Sequence, residues 1–222
     1  ILNKPAIKAG QGVNSIIEGD LTNNIASGSE SHAEGSNTRA EDKYSHAEGS
    51  YTTAGGYASH SEGFHTSASS SYSHAEGYVT TASGNGSHAE GGDTTATGCA
   101  SHAEGNGTTA SGDYSHAEGY VTTANHKSQH VFGENNIADT STAPSYVRGT
   151  YIEIVGNGAN EDTRSNARTL DWSGNEVLAG KITANGVNLN DELNLKEPLL
   201  PAAPAQPENK FLNANKQWVE IA

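Results

Sequence analysis

His32, His46, His60, His74, His88, His102, His116 and His130 follow one another at intervals of 14 residues without a slip. The first seven sit in Ser-His-Ala-Glu-Gly or its near copy Ser59-His60-Ser61-Glu62-Gly63, and the eighth in Gln129-His130-Val131-Phe132-Gly133. Half a period later comes Thr-Thr-Ala, at Thr52-Thr53-Ala54, Thr80-Thr81-Ala82, Thr94-Thr95-Ala96, Thr108-Thr109-Ala110 and Thr122-Thr123-Ala124. Degenerate copies, Asn24-Ile25-Ala26 and Asn136-Ile137-Ala138, mark capping coils, and Ser15-Ile16-Ile17-Glu18-Gly19 reads as a first coil offset by 16 residues. So short a period cannot hold a helical hairpin. It suits two short strands and two tight turns, with Gly where the backbone needs a positive φ.

Coils of this kind stack at about 4.8 Å, so eight make a rod of roughly 38 Å in which like residues form ladders. Strand alternation sends His and Glu to one side and Ser, Ala and Gly to the other. The interior is then an Ala ladder (Ala33, Ala47, Ala75, Ala89, Ala103, Ala117) facing a second one (Ala54, Ala68, Ala82, Ala96, Ala110, Ala124). Only 33% of the residues are apolar and 6% aromatic, too few for a thick core. An interior this thin does not offset the ordering of 14 residues per coil, which predicts that a second face is buried against other copies of the chain.

The formal charge of −14, with 12 Lys and Arg in no cluster, excludes nucleic acid as a partner. No apolar run is long enough to span a bilayer, so membrane insertion is not expected, and no signal segment opens the chain. Cys99 is the single cysteine, which rules out a disulfide framework. The chain starts at Ile1 without a Met, as a piece of a longer protein would.

The His-x-Glu ladder invites a chemical reading. It is half of a zinc deaminase signature, but the Pro-Cys-x-x-Cys half is missing. His-Glu-x-x-His is absent. Ser31 and His32 are strand neighbours on opposite faces, so a Ser–His nucleophile does not form. No enzyme activity, catalytic residue, cofactor or bound metal is expected, although three His converging from three chains form a conceivable zinc or nickel ring. The favoured reading is a polar seam between chains, made of His32, Glu34, His46, Glu48, His60, Glu62, His74, Glu76, His88, Glu90, His102, Glu104, His116, Glu118 and His130. In it His donates to carboxylates that would otherwise repel one another. Turn aromatics Tyr51, Phe64, Tyr78 and Tyr120 are candidate ligand contacts, with Tyr44, Tyr72 and Tyr114 before the motif; packing against a neighbouring chain is the alternative use for them.

Four regions are expected: an entry segment at 1–14, β-roll repeats at 15–140, a β-rich collar at 141–189, and a Pro-rich linker with a terminal segment at 190–222. In the collar, Tyr151-Ile152-Glu153-Ile154-Val155 and Glu176 to Thr183 read as strands, with a turn at Asp171-Trp172-Ser173-Gly174-Asn175. Asn190 to Glu197 reads as a short helix or strand. Pro198, Pro201, Pro204 and Pro207 make an extended linker, and Phe211 and Trp218 anchor the last piece.

The coil resembles the left-handed parallel β-roll of YadA-like heads in trimeric autotransporter adhesins, which repeat Ser-Val-Ala-Ile-Gly and pack as threefold bundles. His32 and Glu34, and their equivalents, stand where that family has Val and Ile, so its dry seam becomes polar here. The Ser-His-Ala-Glu-Gly form is similar to β-roll segments of phage and prophage tail fibres and baseplate proteins. Val155-Gly156-Asn157-Gly158, the stretch from Arg164 to Asn175, and Asn209 to Trp218 also resemble phage-fibre sequence. The resemblance implies an all-β, homotrimeric, left-handed parallel β-roll with a small β-rich C-terminal region. It implies a structural and adhesive segment of a phage tail fibre or receptor-binding protein, located in the virion tail and mediating attachment to the host. Its partners would be itself, a host-surface glycan or protein, and other tail or baseplate proteins. The head of a bacterial trimeric adhesin at the cell surface is the alternative, and a glycan-degrading fibre a third.

Overall fold

A computed structural model describes residues 7–19 and 22–180, together with strand residues 183–184, 187–188, 210–212 and 218–220. Among the described residues there is no helix. The repeat folds as a β-roll of 14-residue coils. Each coil gives one strand to a long sheet, as in His32–Ser36, His46–Ser50 and His60–Phe64, and a two-residue strand to a second sheet, as in Arg39–Ala40 and Thr53–Ala54. Pairing is parallel and in perfect sequence register: His74 lies over His60 and under His88, and Thr81 over Ser67 and under Thr95. The coil offset by 16 residues joins in the expected register, Ile16 on His32 and Ile17 on Ala33.

Both predicted Ala ladders form the interior, every member fully buried. The first Thr of each Thr-x-Ala and the Ser before each of the first seven ladder His are buried with them, as is Gln129 before the eighth. The Ser has a second task. Its hydroxyl donates back to the turn carbonyl three residues earlier, as from Ser31 to Gly28 (2.7 Å), Ser59 to Gly56 (2.7 Å) and Ser87 to Gly84 (2.8 Å). That bond closes the turn at the point where the chain re-enters the long sheet, a local use of Ser that turn chemistry favours.

Three residues per coil take a positive φ, and the expected Gly fills only one of these positions consistently. Gly35, Gly49, Gly63 and Gly77 sit at φ of 105 to 115°, and a Cβ on any of them would come within 2.2 Å of the carbonyl oxygen of the coil above. Gly is obligatory there. The other two positions carry Tyr44, Ala58, Tyr72 and Tyr114 on one edge, and Tyr51, His65, Val79 and Val121 on the other. Their φ values of 49 to 61° lie in the small left-handed region that L-residues can reach. The cost is offset by inter-coil bonds from the same residues, such as Tyr44 N–H to Ser29 C=O (3.0 Å) and Tyr72 N–H to Tyr57 C=O (2.8 Å).

Both ends of the roll are closed. Ile7–Ala9, within the entry segment, pairs antiparallel with Ile16–Gly19. At the other end the period fails after His130 as expected, yet the sheet continues. Tyr151–Asn157 adds a further parallel rung on His130–Glu134, placing Ile154 over Val131 and Gly156 over Gly133. Asn166–Asp171 and Glu176–Leu178 follow antiparallel, completing a sheet of 13 strands. The turn at Asp171 to Asn175 is present, its Asp171 carboxylate accepting from the backbone of Ser173 and Asn175. Asn166–Asp171 was not expected as a strand, because its outward Arg168 and Asn166 hide the alternation. Glu176–Leu178 is shorter than the segment read from sequence.

The Asn caps work through side chains. At the start, Asn24 Nδ2 donates to the Glu18 and Gly35 carbonyls while Oδ1 accepts from Thr38 N–H, and Ile25–Ala26 forms the first rung of the second sheet. At the far end Asn136-Ile137-Ala138 is not a strand. The Asn136 amide alone replaces one, accepting from Thr123 N–H (2.8 Å) and donating to Thr123 C=O (3.2 Å). Arg164 adds bonds to the Val121 and Asn136 carbonyls.

The chain divides into two units, Ile1–Ala179 and Gly180–Ala222. In the second, Thr183–Ala184 pairs with Val187–Asn188, and Lys210–Leu212 with Trp218–Glu220, both antiparallel. The expected element at 190–197 and the Pro-rich linker lie outside the described residues, as do the side chains of Phe211 and Trp218.

Candidate functional site

The long sheet brings every ladder His and Glu named from the sequence to its outer face, on either side of the buried Ala. The eight imidazoles form one continuous stack. Successive ring centroids are 4.7 to 5.0 Å apart, and the planes are within 16° of parallel. Strand pairing at one coil per rung dictates this spacing. The side chains are about one-third exposed, as at His88 (34%) and Glu76 (32%).

His and Glu meet mostly across coils, a ring reaching the carboxylate of the coil before it, whereas His46 meets Glu48 of its own strand. Nε2 to Oε1 separations are 3.2 Å for His116–Glu104, 3.3 Å for His102–Glu90, 3.4 Å for His130–Glu118, 3.5 Å for His88–Glu76 and 3.8 Å for His74–Glu62. Hydrogen-bond geometry is met only at His102 and His116. The Nε2 atoms of His32, His46, His60, His74, His88 and His130 are out of solvent and lack a hydrogen-bond partner.

The carboxylates crowd one another. Glu62 is pushed up to about 7 by sharing a proton with Glu48 and Glu76, with burial adding to the shift. Glu90 is likewise raised to about 7 by Glu76, burial and Glu104. Glu48 and Glu76 are lowered, first by hydrogen bonds from Glu62. Glu62 and Glu90 thus hold protons that the flanking carboxylates accept. The His46, His60 and His88 rings are held below the usual histidine value by burial and by the neighbouring rings. Beside the Glu column runs a shallow groove of about 510 Å³, lined by Glu34, Glu48, Glu62, Glu76 and the Gly that follows each.

The Ser hydroxyls of the motif face inward, as strand alternation requires, and most of them bond turn carbonyls, so Ser and His are not brought together. Nitrogen and carboxylate atoms are. In Glu62–His74–Glu76, Glu76–His88–Glu90 and Glu90–His102–Glu104, one ligand atom per residue lies within 4.8 Å of the others, and His46–Glu48–His60 makes a similar group.

The predicted ligand-contact aromatics line one edge of the roll. Tyr51 (51%), Phe64 (40%), Tyr78 (59%) and Tyr120 (51%) are exposed. Phe64 stacks on Tyr78 at 5.6 Å, and Tyr51 on His65 at 4.7 Å. His65 was missed in the sequence, although it lies one period after Tyr51. The opposite edge carries Tyr44, Tyr57 and Tyr72, meeting edge to face at 5.6 and 5.5 Å, with Lys43 over Tyr44. Tyr57 was likewise missed, since it sits one residue before the ladder position of Tyr44 and Tyr72. Trp172, in the turn after Asn166–Asp171, is partly exposed and lies under the Arg148 guanidinium at 4.2 Å.

No protein-family model matches the chain, and no curated protein matches it in sequence.

Proposed function

We propose that this chain is a structural and adhesive segment of a phage tail fibre or receptor-binding protein, working as a homotrimer that holds and presents a host-binding surface. The observation that carries the reading is the uninterrupted His–Glu ladder. Eight coils repeat one half-buried polar face, and an invariant face along a rod suits lengthwise pairing with copies of itself better than recognition of one small ligand. Such a seam sets register, because each coil offers the same ring and the same carboxylates to its neighbour.

The edges are irregular where the face is regular. Tyr51, Phe64 and Tyr78 project from one edge over three successive coils, an apolar strip of the kind that stacks on sugar rings of a bacterial surface. In this reading the roll is a non-catalytic spacer, and recognition belongs to the edge.

The test combines mass and binding on the full chain. Light scattering after size-exclusion chromatography gives three times the chain mass, and the protein labels whole bacterial cells of some strains and not others. Tyr51→Ala with Tyr78→Ala abolishes labelling and leaves the mass unchanged. A monomer, or labelling untouched by these substitutions, refutes the reading. Turnover of a surface glycan by the same preparation identifies a glycan-degrading fibre instead.

A further inference from the structure

We propose that the His–Glu ladder is a linear array of zinc-class cation sites, each built within one chain from a Glu–His–Glu or His–Glu–His group of successive coils. The inference goes beyond the structural role above and stands whether or not chains associate, since every ligand named comes from one chain.

Three observations carry it. The first is convergence: in Glu62–His74–Glu76 and Glu76–His88–Glu90 one nitrogen and two carboxylate oxygens fall within 4.8 Å of one another, and Glu90–His102–Glu104 repeats this one coil on. The second is distance. A charge-assisted N–H to carboxylate bond closes to about 2.7–2.9 Å, whereas the ladder pairs stand at 3.2 to 3.8 Å. Zinc–nitrogen and zinc–oxygen bonds of about 2.0–2.1 Å put two ligands of a tetrahedron about 3.3 Å apart, which the closer pairs match. The third is vacancy in hydrogen bonding: six of the eight ring Nε2 atoms are shielded from water with no partner. A neutral imidazole in that position is a metal ligand as it stands.

Charge points the same way. The ladder carboxyls are stacked one per coil in a chain of net charge −14, with imidazoles and no Lys or Arg in the ladder positions. Imidazole with carboxylate selects zinc and its first-row neighbours, while calcium and magnesium prefer oxygen alone. Neighbouring groups share a carboxylate and lie one coil apart, about 4.8 Å, so two dications in adjacent groups repel strongly and alternate groups fill. Uptake is therefore about two to three ions per chain.

The test is zinc titration of the chelator-stripped full chain, with bound metal counted after dialysis and cobalt as a spectroscopic substitute. The expected result is at least two zinc ions per chain, the intense visible bands of tetrahedral cobalt, and no displacement by a hundredfold excess of calcium. The triple variant Glu48→Gln, Glu76→Gln, Glu104→Gln keeps side-chain size, relieves carboxylate repulsion and loses more than half of the uptake. His65→Gln, outside the ladder, loses none. Circular dichroism verifies that both variants are folded. Fewer than one zinc per chain, full uptake by the triple variant, or displacement by calcium overturns the proposal.

Discussion

Ser61 Oγ and Thr66 Oγ1 lie 2.8 Å apart in the interior of the roll, both side chains buried. Position 61 belongs to the Ala ladder, where Ala47 and Ala75 flank it above and below. In the coils that keep Ala, the matching hydroxyls of Thr52, Thr80, Thr94 and Thr108 are buried with no hydrogen-bond partner. One coil has therefore satisfied a polar group that its neighbours leave open. Ser61→Ala is expected to cost about 1 kcal/mol, the usual net value of such a bond. Ala75→Ser, which sets a hydroxyl opposite Thr80, should recover a similar amount. Urea denaturation of both variants checks this, and equal midpoints for Ser61→Ala and wild type would sink it.

The glycines divide into two kinds that substitution tells apart. Gly77 has φ of 106°, and a Cβ there would stand 2.2 Å from the Gly91 carbonyl oxygen, so Gly77→Ala must push two coils apart. A loss of at least about 3 kcal/mol is expected from strain and broken ladder bonds. Gly86 has φ of 63° with nothing within 4 Å, and Tyr72 and Ala100 hold the same turn position one coil either side. Gly86→Asn should be close to neutral, because the narrower unfolded ensemble offsets the small cost of a side chain in the left-handed region, which Asn tolerates. Thermal melts should then show a large loss for Gly77→Ala and little change for Gly86→Asn.

The coil period, the Ala interior and the outward His–Glu face were legible in the sequence because each rests on strand alternation and exact repetition. The same logic placed Ile16 and Ile17 on His32 and Ala33 despite the two-residue insertion. What repetition could not reveal lies where the chain stops repeating. The rung at Tyr151–Asn157 is separated from His130–Glu134 by a long connection, so no fixed interval announces that Ile154 covers Val131. The positive φ of Tyr44 and Tyr51 was hidden for another reason: inter-coil hydrogen bonds override the local preference for Gly. The triads were hidden too, since Glu76, His88 and Glu90 meet only when one coil is laid over the next.

Asn136 seals the last rung of the second sheet with two bonds to Thr123. An unsealed rung would present free N–H and C=O groups, the usual template for pairing with another chain. Asn136→Ala is expected to cost about 2 kcal/mol, from two bonds of about 1 kcal/mol each. Beyond the loss of stability, the open edge should make association concentration-dependent. Sedimentation velocity over a tenfold range of concentration detects it. A variant that is less stable yet sediments like wild type would show that Arg164, which donates to the Val121 and Asn136 carbonyls, closes the edge unaided.

Asp139 ties the long connection to the end of the roll. Burial raises its carboxyl, but hydrogen bonds from the backbone of Ser141, Tyr151 and Thr150 outweigh this and hold it below the ordinary 3.8. A carboxyl whose folded value is depressed contributes stability that is complete above its unfolded value, near 3.8, and is lost as pH falls through the lower folded value. Asp139→Asn keeps one acceptor oxygen and sets an amide N–H group against the Thr150 and Tyr151 donors. It should therefore be destabilised at pH 7, with the gap to wild type closing below about pH 3.8 as the native carboxyl takes up its proton. Guanidinium melts at pH 7, 5 and 3 measure the gap directly. A gap that stays constant from pH 7 to 3 would mean that the Asp139 charge does not hold Tyr151 in place as the closing rung.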